Sequence, residues 1–293
     1  MIVYQSSLLL DILLRYHQLF PDYKMNVLKS YGVPSADNDH FFKTHRDKVG
    51  SLALDSGAYS FNNAINVENL CLSLDGCIDY ILQVIPYITI YFNFDIDFRE
   101  TGFEMNLYNQ MKMEAAGLTP VPVIHNLFSS EIDYYIKKGY KMVAVGSQQI
   151  TTYKTLRPLV MKAYKAKVGV HLFGHPEYEL NANLPISSCD SASWALKAAY
   201  GSILFWNPYK NEADKRDIIY IGEYSHPKKM NNHFTRYKYR RELEEYLDKT
   251  FHITYSDLLG KYGAFYKSLV NVHYYVILEQ EINKIHREKG FGL

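Results

Sequence analysis

The sequence predicts an α/β fold built as a (β/α)8 barrel, followed by a basic and mostly helical C-terminal extension. Three observations predict it: eight short apolar runs rich in Val and Ile, helical patterns between the runs, and glycines at the ends of those helices. Apolar residues at consecutive positions indicate strands that are buried on both faces, as in a parallel sheet. An open, doubly wound sheet is the alternative, but no GxGxxG pattern follows any of the runs.

Predicted strands alternate with predicted helices up to residue 201. The strands cover residues 1–4, 25–30, 51–55, 88–95, 120–124, 141–145, 168–173 and 185–190. The helices between them cover residues 66–85, 104–116, 130–138, 157–167 and 191–200. Ser130 is a favourable N-cap, and Pro158 lies near the start of its helix, where proline is tolerated. Helix ends are followed by Gly117, Gly139 and Gly201.

Both ends of the chain have patterns of their own. Residues 1–20 predict a strand and an amphipathic helix rather than a signal peptide or a membrane span, because Asp11 and Arg15 interrupt the apolar run. After residue 201 the pattern predicts strands over 203–206 and 217–223 and helices over 242–249 and 256–288. We therefore expect a barrel core over residues 1–201 and, over 202–293, an extension that packs on the barrel and contacts nucleic acid.

Composition limits the classes of protein and partner. The 293 residues are 47% hydrophobic and 22% charged, which is typical of a globular protein with a sizeable core. The net charge is +1, so contact with nucleic acid requires a local basic patch. The three cysteines form no CxxC pair, which indicates a reducing compartment, argues against a disulfide framework and excludes a multi-cysteine zinc site. We expect a cytoplasmic protein, in the host cytoplasm if the chain is viral, with no membrane partner and no cofactor.

Polar residues or glycines follow nearly every predicted strand, and the carboxyl ends of barrel strands converge on one pocket. These ends are Asp55-Ser56-Gly57, residues 93–97, His125-Asn126, Gly146-Ser147-Gln148, Gly174-His175 and Cys189-Asp190-Ser191. A single aspartate at a strand end is most often a helix cap or a loop residue. Several polar ends in succession favour a shared site that Asp55 and Asp190 both face.

Three histidines leave a second interpretation open. His125, His171 and His175, together with Asp190, suggest a metal site like that of metal-dependent hydrolase barrels. Those enzymes generally carry an HxH motif on an early strand, and the sequence contains none. The simpler interpretation of His171 and His175 is packing and loop hydrogen bonding.

A basic stretch over residues 226–241 contains six Lys or Arg and no acid. It interleaves these cations with Phe234, Tyr237 and Tyr239, a composition that suits phosphate contact combined with base stacking. A solvated surface is the ordinary alternative for such a run. The predicted nucleic-acid contacts are Lys228, Lys229, Arg236, Lys238, Arg240 and Arg241.

Taken in order, these strand ends resemble the tRNA-guanine transglycosylase superfamily over approximately residues 50–195. Asp55-Ser56-Gly57-Ala58-Tyr59 is similar to the family's Asp-Ser-Gly-Gly-Phe/Tyr motif, and Cys189-Asp190-Ser191-Ala192 to its Phe-Asp-Ser/Cys segment, which holds the nucleophile. Shorter similarities lie between them, at Phe94-Asp95, Val123-Ile124-His125-Asn126, Ala144-Val145-Gly146 and Leu172-Phe173-Gly174-His175-Pro176. Each motif alone is weak, but six in the same order are fairly specific.

The resemblance implies a pentosyltransferase that exchanges a guanine in a nucleic acid for a 7-deazaguanine base. It implies that Asp190 attacks C1′ of the sugar to form a covalent glycosyl-enzyme. Asp55 then protonates the departing base and deprotonates the incoming one, much as the two carboxylates of retaining glycosidases divide their work. By the same resemblance Asp95 accepts hydrogen bonds from the purine. The other implied base contacts are Tyr59, which stacks on the base, His125, the Gly146 backbone, Ser56 and Gly57.

The chain departs from the family pattern in three ways. It lacks the CxCxxC zinc cluster with a later histidine, it has His125 where the family has glutamine, and no RNA-binding accessory domain is recognisable. In this it is more similar to the phage and bacterial DNA-guanine transglycosylases, which install queuosine-related 7-deazaguanine derivatives and so protect DNA from restriction. We therefore expect DNA as the polymer, with tRNA as the alternative, and a free base such as 7-cyano-7-deazaguanine. A metal-assisted hydrolase or lyase and a non-catalytic nucleic-acid-binding protein are the competing hypotheses.

Overall fold

The computed structural model describes residues 1–32, 38–58, 73–99, 101–147, 149, 151–222 and 232–292. Three predicted site residues, Tyr59, Lys228 and Lys229, lie outside the described residues. Packing divides the chain into two compact units. The first holds Met1–Leu10, Lys24–Ser191 and Ile282–Leu293, and the second holds Asp11–Tyr23 and Ala192–Glu281. The predicted domain boundary after residue 201 stays a prediction.

The first unit is built around a sheet of eight parallel strands, each of which overlaps one of the predicted runs. The strands are β1 (Ile2–Ser6), β2 (Met25–Ser30), β3 (Val49–Asp55), β4 (Ile90–Tyr91), β5 (Val123–Ile124), β6 (Met142–Val145), β7 (Gly169–Leu172) and β8 (Ser188–Ser191). Their order in the sheet is β4-β3-β2-β1-β8-β7-β6-β5. Every pair is parallel, so all the carboxyl ends lie at one edge.

The first and last strands, β1 and β8, are neighbours in the middle of the curled sheet. The two edge strands, β4 and β5, are linked by a parallel bridge between Phe92 and Val121. The Asn93 amide donates to the Val121 carbonyl at 2.9 Å, and the Val121 amide donates to the Tyr91 carbonyl at 2.9 Å. Among the described residues no strand ladder joins β4 to β5, so the fold is a curled parallel sheet of the TIM-like α/β type.

A cluster of apolar side chains lies on one face of the sheet. It consists of Tyr4, Leu28, Ala53, Phe92, Val121, Val123 and Ala144, all of them buried. Successive side chains of a strand point to opposite faces, so the residues next to these in the chain face the helices. Fully burying one large apolar side chain stabilises a fold by about 1.5–3 kcal/mol. The cluster thus fixes the strands whose carboxyl ends carry the polar residues.

Helices occupy most of the remaining described chain. They are α1 (Leu10–Leu19), α2 (Leu74–Val84), α3 (Phe103–Ala115), α4 (Glu131–Lys137), α5 (Tyr153–Lys165), α6 (Tyr178–Asn183), α7 (Ser193–Ala199), α8 (Arg240–Phe251), α9 (Tyr255–Leu259) and α10 (Gly263–Lys289). Helix α5 begins before the predicted residue 157, because Thr152 and Thr155 form a capping box. The prediction that Pro158 lies near the helix start is therefore wrong, and this proline lies inside α5. Helix α6 lies in a stretch for which the sequence predicts no helix.

The second unit contains an antiparallel pair of strands, β9 (Ser202–Trp206) and β10 (Arg216–Tyr220). Asn271 of α10 is fully buried and accepts a hydrogen bond from the Leu204 amide of β9 at 2.6 Å. The single helix predicted over 256–288 is two helices, since the chain leaves helical geometry at Gly260. None of the described helices combines the length and apolarity that crossing a membrane requires.

Candidate active site

Three aspartates lie at the carboxyl edge of the curled sheet. Asp55 is the last residue of β3, Asp95 follows β4, and Asp190 lies in β8. Asp55 pairs in register with Ser30 of β2, and Asp190 pairs with Tyr4 of β1. Burial raises the pKa of Asp55, and the negative charges of Asp95 and Asp190 raise it further. The structure therefore brings Asp95 and Asp190 close enough to Asp55 for their charges to act on it.

Asp190 is buried and has hydrogen-bond donors on both carboxylate oxygens. The Ser6 hydroxyl donates to Oδ2 at 2.5 Å, and the Gly174 amide donates to Oδ1 at 2.8 Å. His171 Nε2 lies 3.5 Å from Oδ1, which is an ion-pair distance. Burial alone would raise the pKa of Asp190, but the histidine and these two donors together hold the pKa below its usual value. Asp190 is therefore an anion at neutral pH.

Asp55 has the opposite electrostatic environment. Burial has the largest effect on its pKa, and the charges of Asp95 and Asp190 add to it. The Gly57 amide opposes them by donating to Oδ2 at 3.0 Å. The resulting pKa is about 7, so this carboxyl can hold or release a proton near neutral pH. Two carboxyls with opposite shifts are the arrangement that a proton donor and a nucleophile require.

Asp95 is buried beside His125, and the two form an ion pair. Asp95 Oδ2 lies 3.0 Å from His125 Nε2, and the Ser56 hydroxyl donates to Oδ1 at 3.1 Å. The other ring nitrogen of His125, Nδ1, lies 2.9 Å from the Gly146 carbonyl. Burial lowers the pKa of His125, but the two acceptors outweigh burial and the pKa is raised. Because both ring nitrogens face acceptors, we assign a doubly protonated imidazolium to His125.

Both hydrogen-bonding atoms of the His125 ring thus have protein partners. Direct contact between this ring and a purine stays a prediction, and in the described structure the ring holds Asp95 and the Gly146 carbonyl. Glycine allows the close approach at residue 146. A Cβ there would lie 3.0 Å from Val123 Cγ1 and 3.1 Å from His125 Cε1.

Two residues that the sequence analysis did not single out support His125. Glu131, the first residue of α4, accepts hydrogen bonds from the backbone amides of His125 and Asn126, each at 3.2 Å. Phe98 stacks on the His125 ring, with centroids 4.9 Å apart and 24° between the planes. An acid at the start of a helix is an ordinary sequence pattern, so nothing in the spacing marks Glu131 as part of a site.

Ser6 is absent from the predicted site because the predicted first strand ends at residue 4, whereas β1 extends to Ser6. Ser6 could have been identified from the sequence, because the polar residues Gln5 and Ser6 directly follow the predicted first strand. His171 is assigned to packing by its position inside an apolar run, yet its ring reaches Asp190. Periodicity alone cannot distinguish the two faces of a strand that is buried on both.

Gly57 has φ +84°, and the space beside it is filled. A Cβ at this position would lie 2.6 Å from Ser30 Oγ and 2.7 Å from the Gly32 backbone. We expect Gly57→Ala to lower the free energy of unfolding by about 2–5 kcal/mol, from backbone strain of about 1–2 kcal/mol and overpacking of about 1–3 kcal/mol. Urea denaturation at neutral pH measures the loss.

Gly139→Ala is the matched control for this prediction. Gly139 has nearly the same backbone, φ +82°, but no heavy atom would lie within 4 Å of its added Cβ. The control is expected to lose only the strain, about 1–2 kcal/mol. Equal losses in the two variants would show that the surroundings of Gly57 relax around a methyl group.

The described residues do not form the alternative metal site. Among them, no group of three or more His, Cys, Asp or Glu side chains could hold a metal ion. His175 lies in the loop after β7, where Nε2 is 2.7 Å from Thr151 Oγ1 and Nδ1 is 3.4 Å from Glu177. These contacts are the loop hydrogen bonding that the simpler interpretation of His175 predicts.

Four of the six predicted nucleic-acid contacts are described, and they lie in the second unit. Arg240 and Arg241 occupy the first turn of α8, and each pairs with the glutamate four residues later, at 2.8 Å and 3.3 Å. Arg236 and Lys238 line an open cavity of about 380 Å³, together with Lys210 and other residues. The acid-free stretch is thus partly neutralised by acids that follow it.

The aromatic residues of the basic stretch divide into two kinds. Phe234 is fully buried and stacks on Tyr255, with ring centroids 4.1 Å apart. Tyr237 is also buried, and its hydroxyl donates to Asp217 Oδ2 at 2.5 Å. These two rings pack inside the second unit, whereas Tyr239 is partly exposed beside the cavity and stacks on Tyr209, with ring centroids 6.0 Å apart.

No protein-family model matches the chain, and no curated protein matches it either. Its activity is therefore inferred from the residues of the site and their geometry.

Proposed function

We propose that this protein is a pentosyltransferase that exchanges guanine in DNA for a 7-deazaguanine base through a covalent intermediate on Asp190. One observation carries the proposal: two carboxyls of one site have pKa values shifted in opposite directions. A pKa near 7 suits proton transfer at neutral pH, whereas an anionic carboxylate suits nucleophilic attack. The resemblance of the strand-end motifs to guanine transglycosylases supports the same assignment.

In the first step the Asp190 carboxylate attacks C1′ of the target nucleotide. A bond forms between an Asp190 oxygen and C1′, the bond from C1′ to the base nitrogen breaks, and its electron pair goes to the base. Asp55, which is protonated below its pKa of about 7, donates a proton to the departing guanine. The products are a glycosyl ester on Asp190, a neutral free base and an Asp55 anion.

In the second step the Asp55 anion removes a proton from the incoming 7-deazaguanine, whose nitrogen attacks C1′. The ester bond breaks, and its electron pair returns to Asp190. Two displacements at the same carbon retain the anomeric configuration. Both carboxyls return to their starting charge states.

Asp95 is the proposed reader of the purine, through hydrogen bonds accepted from the ring N–H and the exocyclic amine. The His125 imidazolium supports this role because Nε2 lies 3.0 Å from Oδ2 and fixes the position of the carboxyl group. The Ser56 hydroxyl restrains the other oxygen. Each carboxylate oxygen can accept two hydrogen bonds, so these contacts leave capacity for the base.

The proposal requires the three carboxyls to face one pocket, as they would in a closed (β/α)8 barrel. The bridge between Phe92 and Val121 links the two edge strands and so supports a shared pocket at their carboxyl ends. The charges of Asp95 and Asp190 also act on Asp55, which supports a common pocket. A guanine in duplex DNA must leave the stack to enter such a pocket, at a cost of a few kcal/mol.

Base exchange into DNA and into tRNA is the direct test. Purified protein is incubated with labelled guanine or labelled 7-cyano-7-deazaguanine and with duplex DNA, single-stranded DNA or tRNA, and the nucleosides are then identified by mass spectrometry. We expect label in DNA, because these 293 residues contain no CxCxxC zinc cluster like that of the RNA-modifying family. Label confined to tRNA would support the alternative polymer. Folded protein that labels neither polymer would refute the transglycosylase.

Salt dependence of DNA binding tests the basic stretch. Removing Arg236 and Lys238 together by alanine substitution is expected to flatten the slope of log K against log salt by about two, since each phosphate contact contributes about 0.9. Fluorescence anisotropy with a duplex oligonucleotide over a series of KCl concentrations measures the slope.

The matched control removes Arg240 and Arg241. We expect a smaller change of slope, because the glutamates that pair with these arginines compete with phosphate. Equal changes in the two double variants would show that the ion pairs of α8 open on DNA. If the salt slope changes in neither double variant, these four basic residues do not contact DNA.

A further inference from the structure

His171 lies beneath the proposed nucleophile, in the interior of the curled sheet. It is fully buried on β7 and pairs in register with Ser188 of β8. Its ring lies among aromatic rings, with centroids 4.7 Å from Phe92 and 4.6 Å from Phe173. A histidine in such an apolar setting is costly unless its ring nitrogens have partners.

The two ring nitrogens of His171 face two residues of the neighbouring strand. Nδ1 lies 2.9 Å from the Ser188 hydroxyl, a hydrogen-bond distance. Nε2 lies 3.5 Å from Asp190 Oδ1, and among the described residues it makes no well-formed hydrogen bond. When the serine hydroxyl donates to Nδ1, the ring proton is on Nε2 and points at Asp190.

The order Ser188, His171, Asp190 is that of a hydrolase triad, but the burial excludes this use. Ser188 is 2% exposed and His171 is 0% exposed, so no substrate reaches the serine hydroxyl. A triad nucleophile has to stand open to its substrate. The only member of the three placed at the carboxyl edge as a candidate nucleophile is Asp190.

We propose that His171 is a positioning residue for Asp190, whose Nε2–H completes a hydrogen bond to Oδ1 while the carboxylate forms and releases the glycosyl ester. This inference rests on the proposed function. At 3.5 Å the contact between Nε2 and Oδ1 is longer than a well-formed hydrogen bond, so it has room to tighten. Negative charge returns to Asp190 as the ester bond breaks in the second step, so a donor at Oδ1 stabilises that transition state and holds the carboxylate in place.

The donors also distinguish the two carboxylate oxygens. Oδ1 has the Gly174 amide at 2.8 Å and His171 beside it, whereas Oδ2 has the Ser6 hydroxyl. We assign attack on C1′ to Oδ2 and the ester carbonyl to Oδ1. When the ester bond breaks, its electron pair returns to the carboxylate, whose charge Oδ1 shares with its two N–H neighbours. His171 transfers no proton in either step.

Two substitutions at His171 separate hydrogen bonding from packing. His171→Gln keeps an N–H at the end of a side chain of similar length, and His171→Leu removes it. We expect His171→Leu to lower kcat for base exchange by about 10–100-fold, as loss of an orienting partner typically does, with KM little changed. His171→Gln should recover most of this loss. Equal losses in both variants, or a loss confined to KM, would overturn the proposal.

A second readout needs no catalysis. The groups that face Asp190 are Ser6 of β1, His171 and Gly174 on the β7 side, and the charge of Asp55 of β3. The lowered pKa of Asp190 contributes stability above the unfolded pKa, and that stability is lost as pH falls through the folded pKa. His171→Leu should flatten this acid limb of the unfolding free energy, and it should have no such effect in an Asp190→Asn background.

The two readouts distinguish failure of this inference from failure of the proposed function. A flattened acid limb in a chain that exchanges no base would support the coupling of His171 to Asp190 and refute the transglycosylase. Base exchange that is equally fast in His171→Leu would refute the positioning role alone. If His171→Leu does not fold, Ser188→Ala replaces it. Ser188→Ala removes the hydroxyl that contacts His171 Nδ1. We expect this variant to lower kcat less than His171→Leu does. An unchanged kcat would count against the proposal.

Discussion

Asp190→Asn is expected to lower base exchange by about 10,000-fold, the loss typical when an enzyme's covalent nucleophile is removed. The amide has nearly the same shape as the carboxylate but carries no negative charge to attack C1′. The rate of labelled guanine incorporation measures the effect. A second measurement is the protein–DNA adduct, which wild type should accumulate under denaturing electrophoresis when no incoming base is supplied.

Asp133→Asn is the matched control. It makes the same chemical change in the same unit, on an exposed carboxylate of α4 that pairs with Lys162 at 2.9 Å. We expect Asp133→Asn to exchange base at the wild-type rate and to accumulate the same amount of protein–DNA adduct. A folded Asp190→Asn variant that keeps more than about a hundredth of the wild-type rate would mean that Asp190 is not the nucleophile.

Asp55→Asn is expected to lower base exchange by about 100–10,000-fold, the usual contribution of a general acid and base. It should also change the pH profile. In the proposed first step Asp55 donates a proton, so the wild-type rate of this step should fall as pH rises through about 7, where that carboxyl ionises. The residual activity of the variant should lack this limb. Single-turnover adduct formation between pH 5 and pH 9 measures both effects.

The same substitution has an effect on stability with a definite sign. The pKa of Asp55 is raised from 3.8 to about 7 in the folded chain, so ionisation destabilises the fold progressively as pH rises between those values. Asp55→Asn removes that penalty. The free energy of unfolding at pH 8 should rise by up to about 4 kcal/mol, at about 1.4 kcal/mol for each pKa unit, with little change at pH 4. Parallel stability curves for wild type and variant would show that Asp55 ionises normally.

The carboxyl edge of the sheet could be predicted from the chain because its apolar runs end abruptly at polar residues. Asp55 and Asp190 both follow this pattern, and parallel strands place their carboxyl ends together. The partners of these aspartates could not be predicted in the same way. Ser6 and Asp190 are 184 positions apart, and their contact depends on the pairing of the first strand with the eighth.

Other differences have local causes that were visible in the sequence. The capping box of Thr152 and Thr155 sets the start of α5, and it overrides the preference for proline near a helix start. Arg240 and Arg241 lie at the end of an acid-free window, but glutamates stand four residues later on the same helix. The rule for charge pairs four apart predicts these ion pairs once α8 is recognised.

The hydrogen bond from Ser6 to Asp190 also affects when the chain acquires its chemistry. While the chain is being synthesised, β1 is complete long before β8, and of its two sheet partners only β2 is present. Joining residues 184 positions apart costs chain entropy that is recovered only when the later contacts form. The contact between Ser6 and Asp190 therefore forms only after β8 has joined β1, so a chain that ends before residue 191 lacks both this contact and the proposed nucleophile.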